Sequence, residues 1–305
     1  MTRHYPDVAL LTERRYAGSV AGPDDWYFGN ILREDELVQT ALERLGLSSI
    51  RVAWNSPDVD WSKFRCAVFR TTWDYFERIA EFTAWTERVQ RLTRLCNDAS
   101  TVGWNLDKHY LIDLEARGIP IVTSRFIERG SDANLSDLLN ATGWEEAVVK
   151  PCISGAARHT YRVDRANAEA LQSVVGPLVA DESFILQPFI RDVARNGEDT
   201  LMVIDGRFTH AVRKLPKAGD FRVQDDHGGT VHDHEPTEEQ IELAERTMAV
   251  CHPAPSYGRV DMVRDNQGRL AVMELELIEP ELWLRNNPSA ATALALAIAK
   301  VAATR

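Results

Sequence analysis

Asp261, Glu274 and Glu276 are the residues of this chain whose types and spacing point most directly to chemistry. They lie in YGRVDMVRDNQGRLAVMELEL (257–277), two alternating runs around an Asn-Gln-Gly turn, a pattern that predicts a β-hairpin. Side chains alternate faces along a strand, so Arg259 and Asp261 share one face of the first strand, and Glu274 and Glu276 share one face of the second. With the turn centred on Gln267-Gly268, Asp261 falls opposite Glu274 and Arg259 opposite Glu276. Met273, Leu275 and Leu277 fill the other, apolar face. Carboxylates crowded in this way repel unless a cation sits among them, and oxygen ligands suit Mg2+ or Mn2+. A solvated hairpin face of alternating charge would show the same pattern.

A second feature is the run Val-Val-Lys150-Pro151, followed by the small residues of Cys152 to Ala157. Small side chains let backbone N–H groups approach phosphate oxygens, and Lys150 adds a point charge. No G-x-x-x-x-G-K-[ST] loop occurs, and a plain structural turn explains this one equally well when it is read alone. A third feature is RTTWDY (70–75), directly after a strand-like run. Ligands in open α/β sheets collect at the carboxyl ends of strands, which makes Arg70 and Asp74 candidate substrate contacts. A helix start capped by Thr72 or Asp74 is the alternative. His227 is within reach as a base in principle, but a lone loop histidine is commonly solvated, and His232 and His234 read as a solvated loop.

These residues need a frame. Val8–Thr12, Ser49–Trp54 and Cys66–Thr71 read as short buried strands. Helical spacing runs from Asn30 to Leu45 and from Phe76 to Leu92, with Trp26 to Gly29 as an aromatic loop. Strand-helix alternation predicts a small parallel α/β unit ending near Asn97. A helix over Lys108–Arg117 and an extended link from Ile119 lead to a second region. It holds a helix at Asn134–Asn140, strands at Ala147–Pro151, Thr160–Asp164 and Phe184–Ile190, and a helix at Ala166–Val175. A third region opens with strands at Gly197–Ile204 and Phe208–Leu215, joined by an Asp205-Gly206 turn. Lys217–Thr230 reads as a mobile loop over a site. Thr237 and Gln240 form a capping box for a helix to Cys251. The carboxylate hairpin and a closing helix at Ala290–Ala302 complete the chain. The implied division is 1–100, 101–190 and 191–305.

Composition narrows the classes of function. The chain has 305 residues, 44% hydrophobic and 27% charged, ordinary values for a globular protein. No apolar run reaches the length of a membrane span, and no signal-peptide core is visible. Four scattered cysteines without a C-x-x-C pair fit a reduced cytoplasmic protein without structural zinc. A net charge of -11 argues against a general nucleic-acid surface. Monomer and homo-oligomer both remain open.

The order of features from Trp104 onward resembles the ATP-grasp superfamily, ligases that bind ATP between two α+β subdomains. The resemblance implies an α/β fold with an N-terminal parallel domain ahead of those subdomains. Lys108 in NLDKHY and Lys150 match the two nucleotide lysines, and Ser154-Gly155 the phosphate flap. Gln187, Phe189 and Ile190 match the hinge that pairs with adenine, and Glu198 an acidic position near the ribose. Arg213 and Arg222 match basic residues facing phosphates and acyl substrate, with Arg259 completing the catalytic set. Asp261, Glu274 and Glu276 match the metal ligands. Three departures stand out. Glu276 occupies a position where the superfamily usually has Asn. Glu279-Pro280-Glu281 replaces Pro-Gly, and Arg158-His159 follows the flap.

RTTWDY, WNLDK (104–108) and DFRVQ (220–224) look most like the glutathione-synthetase-like branch, and within it the D-cycloserine synthetase family of O-ureidoserine cyclo-ligases. The implied activity is an ADP-forming C–N ligase using ATP and Mg2+ or Mn2+ through an acyl phosphate. Its partners would be small-molecule carboxylate and amine substrates, with no nucleic acid and no membrane. The mechanism needs no protein nucleophile, so neither Cys152 nor Ser154 is assigned that role. A ligase on a peptide or protein tail, and an ATP-binding regulator without turnover, are the alternatives.

Overall fold

The computed structural model describes residues 5–155, 157–217, 219, 222–223 and 228–304. His227 and Ala156, named above, lie outside the described residues, as does part of the 217–230 loop. Three sheets organise the chain.

The first sheet is parallel. Its order is β2 (Ser49–Ala53), β1 (Val8–Thr12), β3 (Cys66–Thr71), β4 (Arg94–Cys96). Helix α1 (Trp26–Arg44) connects β1 to β2, and α2 (Ile79–Val89) connects β3 to β4. Both faces of this sheet are covered, which is why β1 is apolar without alternation. Val8 and Leu10 face one core with Val38 and Leu42 of α1. Ala9 and Leu11 face the other, with Phe82 and Trp85 of α2 and with Trp54 and Trp61. The chain leaves β1 toward β2 on one side and reaches β3 on the other, so a crevice opens beyond the carboxyl ends of β1 and β3.

Helices α3 (Ala99–Asn105) and α4 (Tyr110–Ala116) lead to the second sheet. This sheet is antiparallel and contains β5 (Arg125–Ile127), β6 (Glu146–Pro151), β7 (Tyr161–Asp164) and β8 (Phe184–Pro188) in the order β5-β8-β6-β7. Helices α5 (Leu135–Thr142) and α6 (Ala168–Val179) cover it around a core of its own.

After the short α7 (Arg191–Asn196) comes the third sheet, also antiparallel. It contains β9 (Glu198–Ile204), β10 (Arg207–Leu215), β11 (Thr230–His234), β12 (Tyr257–Arg264) and β13 (Leu270–Glu276), in the order β11-β10-β9-β12-β13. Helix α8 (Glu238–Ala249), with the expected capping box at Thr237, packs beneath Leu201, Val203, Val260 and Met262. Helix α9 (Pro288–Ala303) lies on the opposite face. Its Ala291, Leu294, Ala295 and Ile298 join one core with Met202 and Ile204 of β9 and with Val8, Leu10 and Val68 of the first sheet.

Several expectations need correction. The Trp26–Gly29 stretch is helical, because the Asp25 side chain accepts the Phe28 N–H and starts the helix four residues early. His232 and His234 sit in β11, paired with Arg213 and Ala211, and not in a loop. Elements β4, β5, α3 and α7 are too short to show a period and went unread.

The carboxylate hairpin forms with the expected pairs, Asp261 opposite Glu274 and Arg259 opposite Glu276. It does so by a different route. The turn runs from Asp265 to Arg269, and near it Met262 pairs with Val272. A bulge at Met273 then shifts the register by one and brings the acids opposite one another.

Candidate active site

One cavity of about 940 Å³ takes walls from the second and third sheets and from the connections that follow β1 and β3 of the first. Lys108, Lys150, Ser154, Gly155, Gln187, Phe189, Ile190, Glu198, Arg222, Arg259, Glu274 and Glu276 all line it, as does Asp74.

Lys108 precedes α4 and is buried. Its Nζ lies 2.9 Å from Glu274 Oε1 and donates to the Ser154 carbonyl at 3.3 Å. Its backbone N–H donates to the Cys152 carbonyl at 3.0 Å, which ties the lysine to the base of the flap. Lys150, at the end of β6, holds Glu274 Oε2 at 3.9 Å. Burial pushes the Lys150 ammonium below its usual range, against the pull of Glu274. Burial also favours the neutral form of Glu274, but Lys108 and Lys150 outweigh it and hold the carboxyl down at about 2. Gly155 is required by a close approach, since a Cβ there would come within 2.6 Å of the Phe76 ring. Flap and first sheet therefore meet at this point.

The segment Gln187 to Ile190 is held from two sides. Phe189 N–H donates to the Glu146 carbonyl at 2.9 Å, and Arg162 lies 4.1 Å over the Phe189 ring. Asn266, in the turn of the carboxylate hairpin, donates to the Phe189 carbonyl at 3.0 Å and accepts the Arg191 N–H at 3.1 Å. Gln187 Nε2 donates to Ser124 Oγ at 3.1 Å.

The structure separates three residues from the roles expected of them. Arg213 does not line the cavity; it forms a pair with Asp199 at 2.6 Å and is partly exposed. Alternation along β10 turns its neighbour Lys214 inward instead, where it is buried between Glu198 at 2.5 Å and Asp261 at 2.9 Å. Asp261 is 2% exposed and does not reach the cavity. Arg259 Nε and Nη2 and Lys214 Nζ hold its two oxygens at 2.9 Å each. Its carboxyl stays well below the usual range because those cations overcome the effect of burial. Arg70 is buried against Asp35 at 3.0 Å, with Glu34 at 3.9 Å, so it locks α1 to β3 and lies outside the large cavity.

Glu274 and Glu276 thus face the cavity without Asp261. Arg259 also bonds Glu276, yet burial and the negative charges of Asp261 and Glu274 push the Glu276 carboxyl up to about 7. Glu279, which lines the same wall, is pushed up by burial and by Glu276. This excess of carboxylate oxygens suits a hard divalent cation, so the donor set fits Mg2+ or Mn2+. Asp261, Glu274 and Glu276 do not converge on one ion position. Among the described residues, Asp107, His109 and Cys152 do bring ligand atoms together. Both His109 nitrogens are already engaged there by Asp107 and Glu128, and burial pushes the Cys152 thiol up.

The remainder of the cavity lies over the first sheet, at the crevice between β1 and β3. Its walls are Glu13, Tyr16, Tyr27, Trp73 and Glu77. The Trp73 indole N–H donates to the Glu279 carbonyl at 3.1 Å and links this lobe to the loop after β13. Of these residues, Trp73 belongs to RTTWDY and Tyr27 to the aromatic stretch 26–29, and neither is assigned to a site from the sequence. Glu13 and Tyr16 follow β1 just as RTTWDY follows β3, and that position was the available signal.

Two antiparallel sheets enclosing a lysine- and carboxylate-lined cavity, beside a parallel sheet, define the ATP-grasp class. Residues 8–97 match the family model for the N-terminal domain of D-cycloserine synthetase DcsG. Residues 122–252 match the ATP-grasp domain of prokaryotic glutathione synthetase. The cycloserine biosynthesis protein DcsG of Streptomyces lavendulae is 36% identical over 278 residues, covering 85% of this chain and 91% of the relative. The crystal structure of D-cycloserine synthetase DcsG superposes with a TM-score of 0.83 at 34% identity, over 97% of this chain and 99% of that one. A D-alanine–D-alanine ligase from Bacillus anthracis complexed with ATP shares the fold, with a TM-score of 0.66 at 16% identity over 98% and 97% of the two chains. The chain belongs to the D-cycloserine synthetase DcsG family of ATP-grasp ligases. It is an ATP-dependent enzyme that forms carbon–nitrogen bonds. Among the described residues, no helix is long and apolar enough to cross a membrane.

Proposed function

We propose that this ligase activates the carboxylate of an amino-acid derivative such as O-ureidoserine and closes it into a ring. The carboxylate oxygen attacks the γ-phosphorus of ATP, which releases ADP and gives an acyl phosphate. A nitrogen of the same molecule then attacks the acyl carbon, and phosphate leaves. The observation that carries this reading is the continuity of the cavity, from the lysine and carboxylate end over the second and third sheets to the aromatic lobe over the first. The similarity to a relative named for cycloserine biosynthesis supports the substrate class.

In this reading, residues 101–190 and 191–305 form the two halves that hold the nucleotide, and 1–100 the substrate domain. Lys108, Lys150, Arg222, Arg259 and Lys214 offset charge on the transferring phosphoryl group. Ser154 and Gly155 offer backbone N–H groups to the phosphates. Gln187, Phe189, Ile190 and Glu198 cradle adenosine. Glu274 and Glu276 hold Mg2+ or Mn2+, which neutralises phosphate charge when bound. Lys108 and Lys150, which pair with Glu274 here, would face the phosphates, and Glu274 would be the carboxylate free to hold the cation. Asp74 stays a candidate substrate contact. It already accepts from Trp54 Nε1 at 2.7 Å and Arg78 at 3.0 Å, so it acts as part of a wall.

A coupled assay tests the reading. ADP should form from O-ureidoserine, ATP and Mg2+ with no added amine, and hydroxylamine should trap a hydroxamate. A strict requirement for a separate amine or peptide would remove cyclisation and leave an intermolecular ligase.

A further inference from the structure

The loop that leaves the carboxylate hairpin departs from the superfamily pattern, and it carries a residue with no role so far. Trp283 has a backbone φ of +44°, a left-handed conformation that bulky side chains rarely adopt. It is 3% exposed, and its indole Nε1 has no acceptor among the described residues. The ring forms part of the cavity wall, and the Arg259 guanidinium lies 5.3 Å from its centroid.

Two local costs at one residue persist only where the surroundings over-determine the geometry. Here they do. The Glu34 carboxylate of α1 accepts the Leu284 and Arg285 N–H groups at 2.9 Å each. His210 Nε2 holds the Leu282 carbonyl at 2.8 Å, and the Asn286 N–H closes onto the Trp283 carbonyl at 2.9 Å. The backbone on either side of Trp283 is therefore pinned, and the ring is set against Arg259. The guanidinium already spends Nε and Nη2 on Asp261 and Glu276. Those carboxylates fix its edge, and an aromatic face beside it fixes its plane through cation–π attraction.

We propose that Trp283 is a positioning residue for Arg259: its ring, held in a strained loop, keeps the guanidinium aimed at the reacting groups. The inference rests on the reading that Arg259 acts on those groups. The ring face is what matters, and the indole N–H is dispensable.

Three variants separate this from simple packing. Trp283→Phe keeps a ring and removes the unpaired N–H. Trp283→Leu and Trp283→Met keep apolar volume and remove the ring. In the ADP-release assay with O-ureidoserine, the Phe variant should retain kcat within about threefold. The Leu and Met variants should lose about 10- to 30-fold in kcat, with KM for ATP unchanged. A readout without turnover is the nitrogen-15 relaxation of the Arg259 Nε–Hε group, assigned by its loss in Arg259→Lys. It should stay rigid in wild type and Trp283→Phe, and become mobile in the Leu and Met variants. Equal behaviour of all three variants, or an Arg259 signal that stays rigid throughout, overturns the proposal. Unfolding of the Leu and Met variants with a folded Phe variant would mark Trp283 as packing only and also overturns it. Full turnover in Arg259→Lys would instead remove the reading of Arg259 on which the inference stands.

Discussion

The two ends of the cavity are built on opposite principles. At the charged end, side chains from strands β6, β9, β10, β12 and β13 and from the link before α4 stand in compensating contacts: Lys108 and Lys150 on Glu274, Lys214 on Glu198 and Asp261, Arg259 on Asp261 and Glu276. At the other end, Glu13, Tyr16, Tyr27 and Trp73 come from segments next to the carboxyl ends of β1 and β3 and from the first turn of α1. One end is a balanced charge lattice in rigid sheet, and the other an aromatic lining on connections. The difference teaches where change is tolerated. Removing one charge from the lattice leaves a buried partner unpaired, whereas reshaping the lobe alters fit and little else.

The largest effect should come from Glu274→Gln, which nearly preserves shape and removes one charge. Turnover should fall on the order of 100-fold or more in a variant that remains folded. Normal turnover would remove Glu274 from the metal site. Next, Lys150→Met should weaken ATP binding by roughly 1.5–3 kcal/mol, about 10- to 150-fold by calorimetry, and leave the affinity of the lobe for the organic substrate alone. Equal losses for both ligands would mean that the two ends are not separable.

Adjacent basic residues on β10 offer a sharper contrast. Lys214→Met strands the buried Glu198 and leaves Asp261 to Arg259 alone, and should destabilise the fold by about 3–5 kcal/mol in denaturant titration. Arg213→Ala removes a partly exposed pair and should cost about 1 kcal/mol or less, with turnover little changed. The reverse ranking would overturn the inward assignment of Lys214. At the lobe, Trp73→Leu should raise KM for the organic substrate about tenfold while ATP affinity holds.

The smallest effect concerns pH. Glu276 is raised to about 7 from an ordinary 4.5, so the folded chain keeps a proton that the unfolded chain releases. Its contribution to stability is complete below about 4.5 and is lost as pH rises through about 7. Thermal midpoints across that window should fall in wild type and flatten in Glu276→Gln. Mg2+ with an ATP analogue should flatten the wild-type curve too, because the cation takes the place of the proton.

The same contrast explains what could be read in the sequence. Most of the lattice sits on strands, where the two-residue period fixes faces; the pairing of Asp261 with Glu274 and of Arg259 with Glu276 is legible there, and Lys108, Lys150, Ser154 and Gln187 do line one cavity. The period cannot choose between two neighbouring cations, so Arg213 was preferred to Lys214. Nor can it say how deep a residue lies: Asp261, expected as a ligand, is buried and held by Arg259 and Lys214. The acid pairing came out right through two compensating errors. The turn is displaced from its expected centre, and the bulge at Met273 restores the register. Such a bulge has no signature in an alternating run. Most of the lobe was missed because it exists only once the strand order places β1 beside β3. The pairing of Arg70 with Glu34 and Asp35 is not legible, because these are polar residues on the buried side of a helix whose packing the sequence does not announce.

Helix α9 joins the first and third sheets in a single hydrophobic core, while the second sheet keeps a core of its own under α5 and α6 and shares Ile185 and Phe126 with the core beneath the third. Unfolding should therefore follow the cores and not the sheets. The first and third sheets should melt as one cooperative unit, and amides there should exchange with hydrogen isotope only through that shared opening. The second sheet, with Lys150 and the flap loop, should open more readily than that unit, because only one of its faces is shared. The enzyme would then flex by breathing one lobe against a fixed two-sheet chassis, and the terminal helix would be the bolt of that chassis.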